Sequence, residues 1–322
     1  MNYKELTIYL PTYNRCNLLE QNLSILVPQV EKYKEFCRLI ISDNCSTDQT
    51  EEIVKKYLIS DNIYYERNSE NIGATRNHLK SYSLPNTKYL WILGDDDFLK
   101  EDSIKTICDK ISGKDYSVIF MNYSYQLKNN TEKKYLSLQE DVETTNKDFF
   151  YSHVGCDLTF ISPVIINTSY FIDKQFLDFD YNLHFIQTYI ASECLKNGSQ
   201  HLIISDSLLI AGKNYSANYS MYSVFGKELF DVTQFQIKKM GFNKRIVRKT
   251  YIKYIKKVVL PGIVGAKINK NKVMLRRFRD FFYATKRYLS SWFYIYPVII
   301  TPRFILAIAK KIKNRKEEKE WK

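Results

Sequence analysis

The sequence predicts an α/β fold in which a mostly parallel sheet is flanked by helices and followed by a basic helical extension. Three observations support this prediction. Short apolar runs alternate with helix-like segments along the first 120 residues, a pattern typical of parallel sheets covered by helices. Polar residues concentrate directly after the apolar runs, where ligands of open α/β sheets bind. Beyond residue 240 the chain becomes basic, aromatic and helical.

The individual elements follow from apolar periodicity and from capping residues. The first half has candidate strands at residues 6–10, 38–42, 63–67, 89–93 and 117–121, and candidate helices at 17–30, 48–58, 72–82 and 102–111. A polar, Tyr-rich segment at 122–146 is followed by a β-rich stretch at 158–167, a helix at 184–196 and a strand at 201–210. We therefore expect one domain at 1–240, with halves 1–120 and 121–240, and a helical region at 241–322.

Composition narrows the class of protein. With 322 residues, 45% of them hydrophobic, the chain can fill a core, which excludes disorder as a description of the whole. Six cysteines without a Cys-x-x-Cys pair, and only four histidines, favour neither a zinc site nor a disulfide framework. A reducing cytosol fits this cysteine usage. The first residues form no basic and apolar leader and no uninterrupted apolar run reaches 18 residues, so we expect neither export nor a spanning helix.

The net charge of +13 is unevenly distributed. Residues 238–322 hold 25 of the 48 Lys and Arg but only four of the 35 Asp and Glu, so this segment carries +21 and the remaining chain carries −8. Such a difference indicates two functional units, an acidic body and a basic tail.

Three adjacent carboxylates, Asp95, Asp96 and Asp97, follow the apolar run at 89–93. Solvated acidic runs at helix starts are common, and this is the alternative interpretation. Carboxylates crowded at a strand end repel each other, however, and a hard divalent cation shared with substrate phosphates commonly offsets that repulsion. The cluster therefore predicts a site for a metal and a diphosphate.

Three further loops carry polar residues at strand ends. They contain Pro11, Thr12, Tyr13 and Arg15 after the first strand, Asp43 after the second, and Asn71 and Arg76 after the third. A carboxylate such as Asp43 can accept hydrogen bonds from a base or ribose, and Arg76 can offer a cation to phosphate. Because Asp-Asn-x-Ser is equally typical of a turn or a helix cap, the prediction depends on the ordered set of loops.

Four segments in this order resemble the family 2 glycosyltransferases of the GT-A fold. They are Leu-Pro-Thr-Tyr-Asn-Arg at 10–15, Ile-Ile-Ser-Asp-Asn-Cys-Ser-Thr-Asp at 40–48, Asn-Ile-Gly-Ala-Thr-Arg-Asn at 71–77 and Gly-Asp-Asp-Asp at 94–97. The resemblance is clear over residues 5–110 and extends less clearly to about residue 215. Within the family, the sequence is most similar to bacterial O-antigen and capsule enzymes of the abequosyltransferase-like kind.

The resemblance implies a Rossmann-like sheet and an inverting transfer of a sugar from a nucleotide diphosphate donor, most commonly UDP. It implies a lipid-linked saccharide acceptor in surface polysaccharide synthesis and Mn²⁺ or Mg²⁺ as cofactor. Asp97 and Asp95 would hold the metal through the family's DxD-type motif, whose first acid usually stands where this chain has Gly94. The implied nucleotide-sugar contacts are Pro11, Thr12, Tyr13, Arg15, Asp43, Asn71, Arg76, Asp95 and Asp96, with Asp43 at the base and Arg76 near the diphosphate.

An inverting transfer also needs a general base for the acceptor hydroxyl. The family generally supplies a carboxylate from a Glu-Asp-like segment, but residues 179–189 lack that pair and Gln187 stands at the aligned position. Asp180 and His184 are the catalytic candidates, and Asp157 is a third. A lone His beside aromatic residues is also commonly a packed core residue, and Asp180 could be a helix cap.

The tail contains three basic segments, at 244–257, 276–287 and 292–316, each mixing Lys and Arg with aromatic residues, and two of them also with Ile, at helical spacing. This pattern predicts a peripheral contact with an anionic membrane, on the cytoplasmic side. A solvated face is the alternative. Nucleic acid is disfavoured as a partner because the apolar run at 292–300 suits acyl chains better than a groove.

Two other functions remain open. A nucleotidyltransferase would need a Gly-rich phosphate loop after the first strand, where this chain has Pro-Thr-Tyr-Asn-Arg. A catalytically inactive binding or assembly protein would explain the unusual base segment.

Overall fold

The computed structural model describes residues 4–84, 87–127, 131–172, 184–212 and 220–319, with side chains up to residue 312. The chain divides into two compact units, Met1–Tyr215 and Ser216–Lys322.

The first unit is built around one sheet. Its described strands are β1 (Leu6–Thr12), β2 (Cys37–Asp43), β3 (Ile63–Arg67), β4 (Tyr89–Ile92), β5 (Phe98–Leu99), β6 (Val118–Gln126), β7 (Glu132–Lys134), β8 (Val142–Thr144), β9 (Val164–Asn167) and β10 (His201–Ala211). Its described helices are α1 (Cys16–Lys32), α2 (Thr50–Lys55), α3 (Ala74–Ser83), α4 (Ser103–Ile111), α5 (Lys147–Val154) and α6 (Ile186–Asn197), with 3₁₀ turns at Gly155–Thr159 and Thr168–Tyr170.

The strand order is β3-β2-β1-β4-β9-β6-β10-β5, with β7 added to β6 and β8 added to β10. The long ladders among β3, β2, β1 and β4, and between β6 and β10, are parallel. The antiparallel ladders, those of β5, β7, β8 and β9, are short. The mostly parallel sheet flanked by helices is thus confirmed.

Buried apolar runs explain why the central strands were predictable. Strands β1, β2 and β4 are buried over nearly their whole length, as expected where helices cover both faces of a parallel sheet. In α1 the buried side chains Leu19, Leu23, Leu26 and Val30 recur at helical spacing.

The second half of the unit differs from the sequence prediction in detail. The expected β-rich stretch at 158–167 begins as a 3₁₀ turn, and only Val164–Asn167 forms a strand. Helix α5 was not predicted, although Asn146 caps it by accepting hydrogen bonds from the backbone N–H groups of Asp148 and Phe149. The short strands β7 and β8 were not predicted either, because they lie in a polar segment without apolar alternation.

In the described part of the second unit, helices are joined by short turns and no strand is present. It contains α7 (Leu229–Lys238), α8 (Lys244–Tyr254), α9 (Leu260–Ile268), α10 (Phe278–Thr285), α11 (Tyr296–Ile300) and α12 (Arg303–Lys319), with π-helical segments at Ser223–Glu228, Ile255–Val259 and Ser291–Ile295.

The packing of this unit explains where the chain divides. The ring of Phe230 lies 6.2 Å from that of Tyr251, and the rings of Tyr222 and Phe281 are 5.4 Å apart. These contacts tie α7 and the helical segment before it to the basic helices. The division by packing therefore falls between residues 215 and 216, whereas composition alone indicated a boundary near 240.

Among the described residues, no single helix combines the length and apolar composition needed to cross a bilayer. Two segments reach that length and composition only when taken together, Ser291–Ile300 and Arg303–Ile312, and the chain bends by 105° between them.

Candidate functional site

The carboxyl ends of β1, β2 and β4 meet at one edge of the sheet. Thr12, the last residue of β1, lies beside Asp43, the last residue of β2, and β4 runs parallel on the other side of β1. This register brings the loop at 93–97 next to the loop at 12–15.

The first contact across this edge is made by Asp95. Its Oδ2 accepts a hydrogen bond from Thr12 Oγ1 at 2.8 Å, and its Oδ1 accepts one from Arg15 Nη1 at 2.7 Å. The same Arg15 nitrogen lies 3.4 Å from Asp96 Oδ2. The structure thus brings together Thr12, Arg15, Asp95 and Asp96, four of the residues predicted to bind the nucleotide sugar.

Asp97 is buried and makes its contacts with the second half of the unit. Its Oδ1 accepts a hydrogen bond from the backbone N–H of Gly212 at 2.8 Å. Its Oδ2 accepts one from the hydroxyl of Ser162, which in turn accepts from the backbone N–H of Gly94 at 2.9 Å. Sequence reasoning missed Ser162 and Gly212, since an isolated Ser and an isolated Gly carry no recognisable pattern.

A third missed residue, Asn22 of α1, supports the backbone of the acidic loop. Its side-chain amide donates to the carbonyl oxygens of Gly94 and Asp95, both at 3.3 Å, and of Asp97 at 2.8 Å. Asn22 lies on the buried face of α1 among leucines. A polar residue on an apolar helical face was the signal that could have identified it.

The three carboxylates differ in their electrostatics. Burial raises the pKa of Asp97 to about 6 and also raises the pKa of Asp95, although Arg15 and Thr12 oppose that shift for Asp95. Among the described residues, the Arg15 guanidinium pairs with Asp95 and Asp96. Three carboxylates against one guanidinium leave excess negative charge at the strand ends, which favours a cation.

The carboxylates of this cluster suit a divalent cation only in a joint site, in which a bound diphosphate supplies further ligands. In the described parts of the chain, no three or more His, Cys, Asp or Glu side chains are grouped to hold a metal by themselves. Asp96 is the most accessible carboxylate of the cluster, with 21% of its side chain exposed against 6% for Asp95. Each carboxylate oxygen retains acceptor capacity beyond one hydrogen bond, and Mg²⁺ is usually held by one or two carboxylates together with substrate phosphates.

Asp43 is fully buried and has a structural role at the end of β2. Its Oδ1 accepts from the backbone N–H of Ser46, and its Oδ2 accepts from the hydroxyl of Tyr65, both at 2.8 Å. The Nε of Arg67 lies 3.3 Å from Oδ2. These contacts, two of them from β3 residues that the sequence analysis did not single out, close the turn after β2. A direct contact from Asp43 to a base stays a prediction.

The loop before α3 is held by amide side chains. Asn71 Oδ1 accepts from Asn44 Nδ2 at 2.8 Å and from the backbone N–H of Gly73 at 2.9 Å. Gly73 has a φ of 84°, a left-handed conformation that favours glycine. Arg76 is exposed in the first turn of α3. On the neighbouring loop, Pro11 is half-buried and Tyr13 is 40% exposed.

The base candidates are only partly described. Asp180 lies outside the described residues, and His184 is exposed two residues before α6. Gln187 is buried and donates its amide to the carbonyl oxygen of Thr159 at 2.8 Å, and Asp157 accepts from the hydroxyl of Tyr135. The assignment of the base therefore stays a prediction.

Comparison with known proteins identifies relatives of the first unit. The model of the family "Glycosyl transferase family 2" matches residues 7–170, just over half of the chain. The abequosyltransferase RfbV of Salmonella typhimurium is 46% identical over 97 residues, which cover 30% of this chain and 29% of that protein. The putative teichuronic acid biosynthesis glycosyltransferase TuaG of Bacillus subtilis is 27% identical over 132 residues, covering 40% of this chain and 51% of that protein.

Solved structures share the fold at low sequence identity. S. aureus TarS 1-349 in complex with UDP-GlcNAc is 16% identical with a TM-score of 0.61, covering 87% of this chain and 79% of that chain. The mannosyltransferase PcManGT from Pyrobaculum calidifontis, in complex with GDP-Man and Mn²⁺, is 13% identical with a TM-score of 0.54, covering 97% and 87%. These likenesses confirm the predicted GT-A fold.

Proposed function

The chain belongs to glycosyl transferase family 2, and on this premise we propose that it is a metal-dependent, inverting glycosyltransferase. Its donor is a nucleotide diphosphate sugar, with UDP as the first nucleotide to test. Its acceptor is a lipid-linked saccharide in the synthesis of a bacterial surface polysaccharide, and it acts in the cytoplasm at the inner face of the cell membrane.

One observation carries the proposal: the cluster of Asp95, Asp96 and Asp97 at the edge where β1, β2 and β4 end. The cluster is held in a fixed arrangement by Thr12 and Arg15 on one side and has excess negative charge. Such a site suits a divalent cation and the diphosphate bound with it.

The chain's own residues would divide the work. Asp95 is held by its neighbours and fixes the position of Arg15, whose guanidinium can then hold a leaving phosphate oxygen. Asp97 and Asp95 would hold the cation together with the diphosphate, and the more accessible Asp96 could add a further oxygen. A bound cation supplies Lewis-acid neutralisation of the charge that builds on the leaving diphosphate. Asp180 or His184 would take the proton of the acceptor hydroxyl.

The comparisons support the finer parts of the proposal without deciding them. Mn²⁺ and nucleotide sugars occur in the structures of fold neighbours. One relative is named an abequosyltransferase and another a putative teichuronic acid biosynthesis glycosyltransferase. The six cysteines are free, which fits a reducing compartment.

A catalytically inactive binding protein is the second candidate. The observation that favours it is Gln187, which stands where the family generally has a carboxylate and whose amide is committed to the carbonyl oxygen of Thr159. The two candidates differ in turnover.

The deciding experiment measures turnover by the purified full chain. Nucleotide release from a panel of UDP-, GDP-, CDP- and dTDP-sugars is followed with Mn²⁺, with Mg²⁺ and with EDTA, in the presence and absence of a lipid-linked saccharide. We expect release with one donor that requires the cation and rises with acceptor. Asp97→Asn should lower the rate at least about hundredfold. The control Asp109→Asn removes an exposed carboxylate whose partner is Lys105 and should leave the rate unchanged. Absence of turnover with every donor, despite donor binding, would favour the inactive protein.

The base is tested by Asp180→Asn and His184→Ala. At least one should lower transfer while leaving donor binding intact. If both retain near-normal transfer and Asp97→Asn is inactive, neither residue is the base.

A cation that binds jointly with the diphosphate predicts how the melting temperature responds to each ligand. Mn²⁺ alone should barely raise the melting temperature, whereas Mn²⁺ with the matching nucleotide should raise it, since only ligands that bind the folded state stabilise it. A full shift with Mn²⁺ alone would contradict the joint site.

A further inference from the structure

We propose that the second unit binds an anionic lipid bilayer through one defined surface, formed by the bent helix pair at 291–312 and the lysine groove beside it. The bent pair inserts its outward apolar side chains at the level of the headgroups, and the groove holds lipid phosphates. The inference adds a contact surface to the proposed function, and its test measures binding rather than catalysis.

The apolar part of the surface is exposed on both limbs of the bend. On the limb at 291–300, Phe293 is 72% and Ile300 is 76% exposed. On the limb at 303–312, Phe304, Ile308 and Ile312 follow one another at intervals of four residues and are 66%, 56% and 52% exposed. Residues spaced by four lie on one face of a helix. Such a stripe is the apolar face of an amphipathic helix that lies in a membrane interface.

The opposite side of the same limbs is packed within the unit. Ile295 and Ile299 of the first limb and Leu306 of the second are buried. The ring of Trp292 packs edge-on against Tyr296 at 5.1 Å, and its indole N–H donates to the carbonyl oxygen of Lys286 at 2.8 Å. The core of the second unit is therefore already filled by these buried side chains. The exposed apolar residues form a second, separate apolar face.

The bend between the limbs is held by backbone contacts. The ammonium group of Lys267 donates to the carbonyl oxygens of Ile299 and, at 2.8 Å, Thr301. Arg303 Nε donates to the carbonyl oxygen of Ile268 at 2.9 Å. These bonds satisfy carbonyl groups near the end of the first limb and keep the 105° bend, a geometry that suits shallow insertion better than crossing.

A shallow, wide-open groove lies on one face of the helix that runs from α8 into the π-helical segment, lined by Lys249, Ile252, Lys253, Lys256 and Lys257. Its four cations are separated by one turn or less, and no acidic residue lines it. The ammonium group of Lys256 lies 4.3 Å from the centre of the Tyr294 ring, so the groove adjoins the exposed aromatic limb.

Charge and apolar exposure together favour a bilayer as the occupant. Residues 238–322 carry +21, which complements an anionic leaflet, where each lysine near the surface contributes about 1 kcal/mol. A second copy of the chain would bring the same positive charge to the contact and would be repelled. Nucleic acid would satisfy the cations but would leave the apolar stripe of Phe304, Ile308 and Ile312 in water.

The test is flotation of the full chain with vesicles of phosphatidylcholine alone and of an equimolar mixture with phosphatidylglycerol. We expect strong binding to the mixed vesicles that weakens at high salt. Phe293→Ser combined with Phe304→Ser should lower the partition coefficient at least about tenfold. The matched control, Ile59→Ser with Phe149→Ser, removes two side chains that are 63% and 47% exposed on the first unit and should leave binding unchanged. Equal melting temperatures of the variants confirm that each is folded.

A second variant tests the groove. Lys253→Gln with Lys256→Gln should weaken binding to the mixed vesicles by about fivefold per lysine and should hardly change binding to phosphatidylcholine alone. Donor turnover in the absence of vesicles should be the same in all variants, so a failure of this inference is distinguishable from a failure of the proposed reaction.

Three outcomes would overturn the inference. The apolar variant could float as well as the parent chain. Light scattering could find a dimer that the apolar variant dissociates, without vesicle binding, which would identify a second copy as the occupant. Duplex DNA could bind with the same salt dependence while vesicles do not.

Discussion

Gly212 offers a sharp test of the acidic cluster, because an added methyl group would collide with the backbone of the cluster itself. A Cβ at this position would lie 2.2 Å from the carbonyl oxygen of Asp96 and 2.9 Å from its carbonyl carbon. Non-bonded heavy atoms are comfortable at about 3.5 Å, so Gly212→Ala forces a backbone shift of about 1 Å. The shift also strains the hydrogen bond from the Gly212 N–H to Asp97 Oδ1.

The expected effect is on catalysis more than on folding. A misplacement of about 1 Å in a catalytic site can cost about a hundredfold in rate, or about 2.7 kcal/mol of transition-state stabilisation. Steady-state kinetics of nucleotide release should therefore show kcat/KM about a hundredfold lower for Gly212→Ala. Titration calorimetry with the matching nucleotide and Mn²⁺ should show weaker joint binding.

The matched control is Gly265→Ala, because a Cβ there would meet nothing within 4 Å. Gly265 lies in α9, where alanine is favoured over glycine by about 0.5 to 1 kcal/mol. This variant should keep full activity and melt slightly higher. The reasoning is refuted if Gly212→Ala retains kcat/KM within threefold of the parent chain and melts at the same temperature.

Three further predictions concern the supports of the site and of the sheet. Tyr65→Phe removes the hydroxyl that donates to buried Asp43 at 2.8 Å and should lower the free energy of unfolding by about 1 to 2 kcal/mol in urea denaturation; no change would mean that Asp43 does not need this partner. Ser162→Ala leaves the Gly94 N–H without its acceptor and should lower kcat/KM about tenfold. Ser162→Thr keeps a hydroxyl and should retain part of the activity. An equal loss of kcat/KM in both variants would contradict a role for the Ser162 hydroxyl. Burial lowers the pKa of His201 from 6.5 to about 4, so the unfolded chain takes up a proton at a higher pH than the folded one. The contribution of His201 to stability is therefore full above pH 6.5 and falls by up to about 3 kcal/mol between pH 6.5 and 4, whereas the raised pKa of Asp97 acts in the opposite direction over much of this window. The measurement is the difference between two melting-temperature profiles: His201→Asn should gain stability relative to the parent chain as the pH falls from 6.5 to 4, and a constant difference would contradict the assignment.

The sheet was predictable where local sequence and tertiary environment agree. Strands β1, β2 and β4 are buried along nearly their whole length, so their sequences are mostly apolar and are followed by turn residues. β8 pairs at one edge with β10 and is only partly buried. Nothing in its three residues favours a strand over a loop, because its conformation depends on the partner.

The same distinction, between local sequence and tertiary environment, applies to the residues of the candidate site. The acids and the Arg of the first half lie on loops next to strands, where chain order already brings them to one edge of the sheet. Ser162 and Gly212 reach Asp97 across sequence separations of 65 and 115 residues. They act through one hydroxyl and one backbone N–H, groups that many Ser and Gly residues could supply. Only the folded register of β9 and β10 selects these two.

The structure also separates three acids that the sequence presents as equivalent neighbours. Asp95 is tied to Thr12 and Arg15 in the first half of the unit, and Asp97 is tied to Ser162 and Gly212 in the second. A loop of three residues thus joins the half predicted to hold the nucleotide sugar to the half predicted to hold the acceptor. Any movement of the backbone at Gly212 must reach the Asp97 carboxylate directly, because the N–H and the carboxylate share a hydrogen bond.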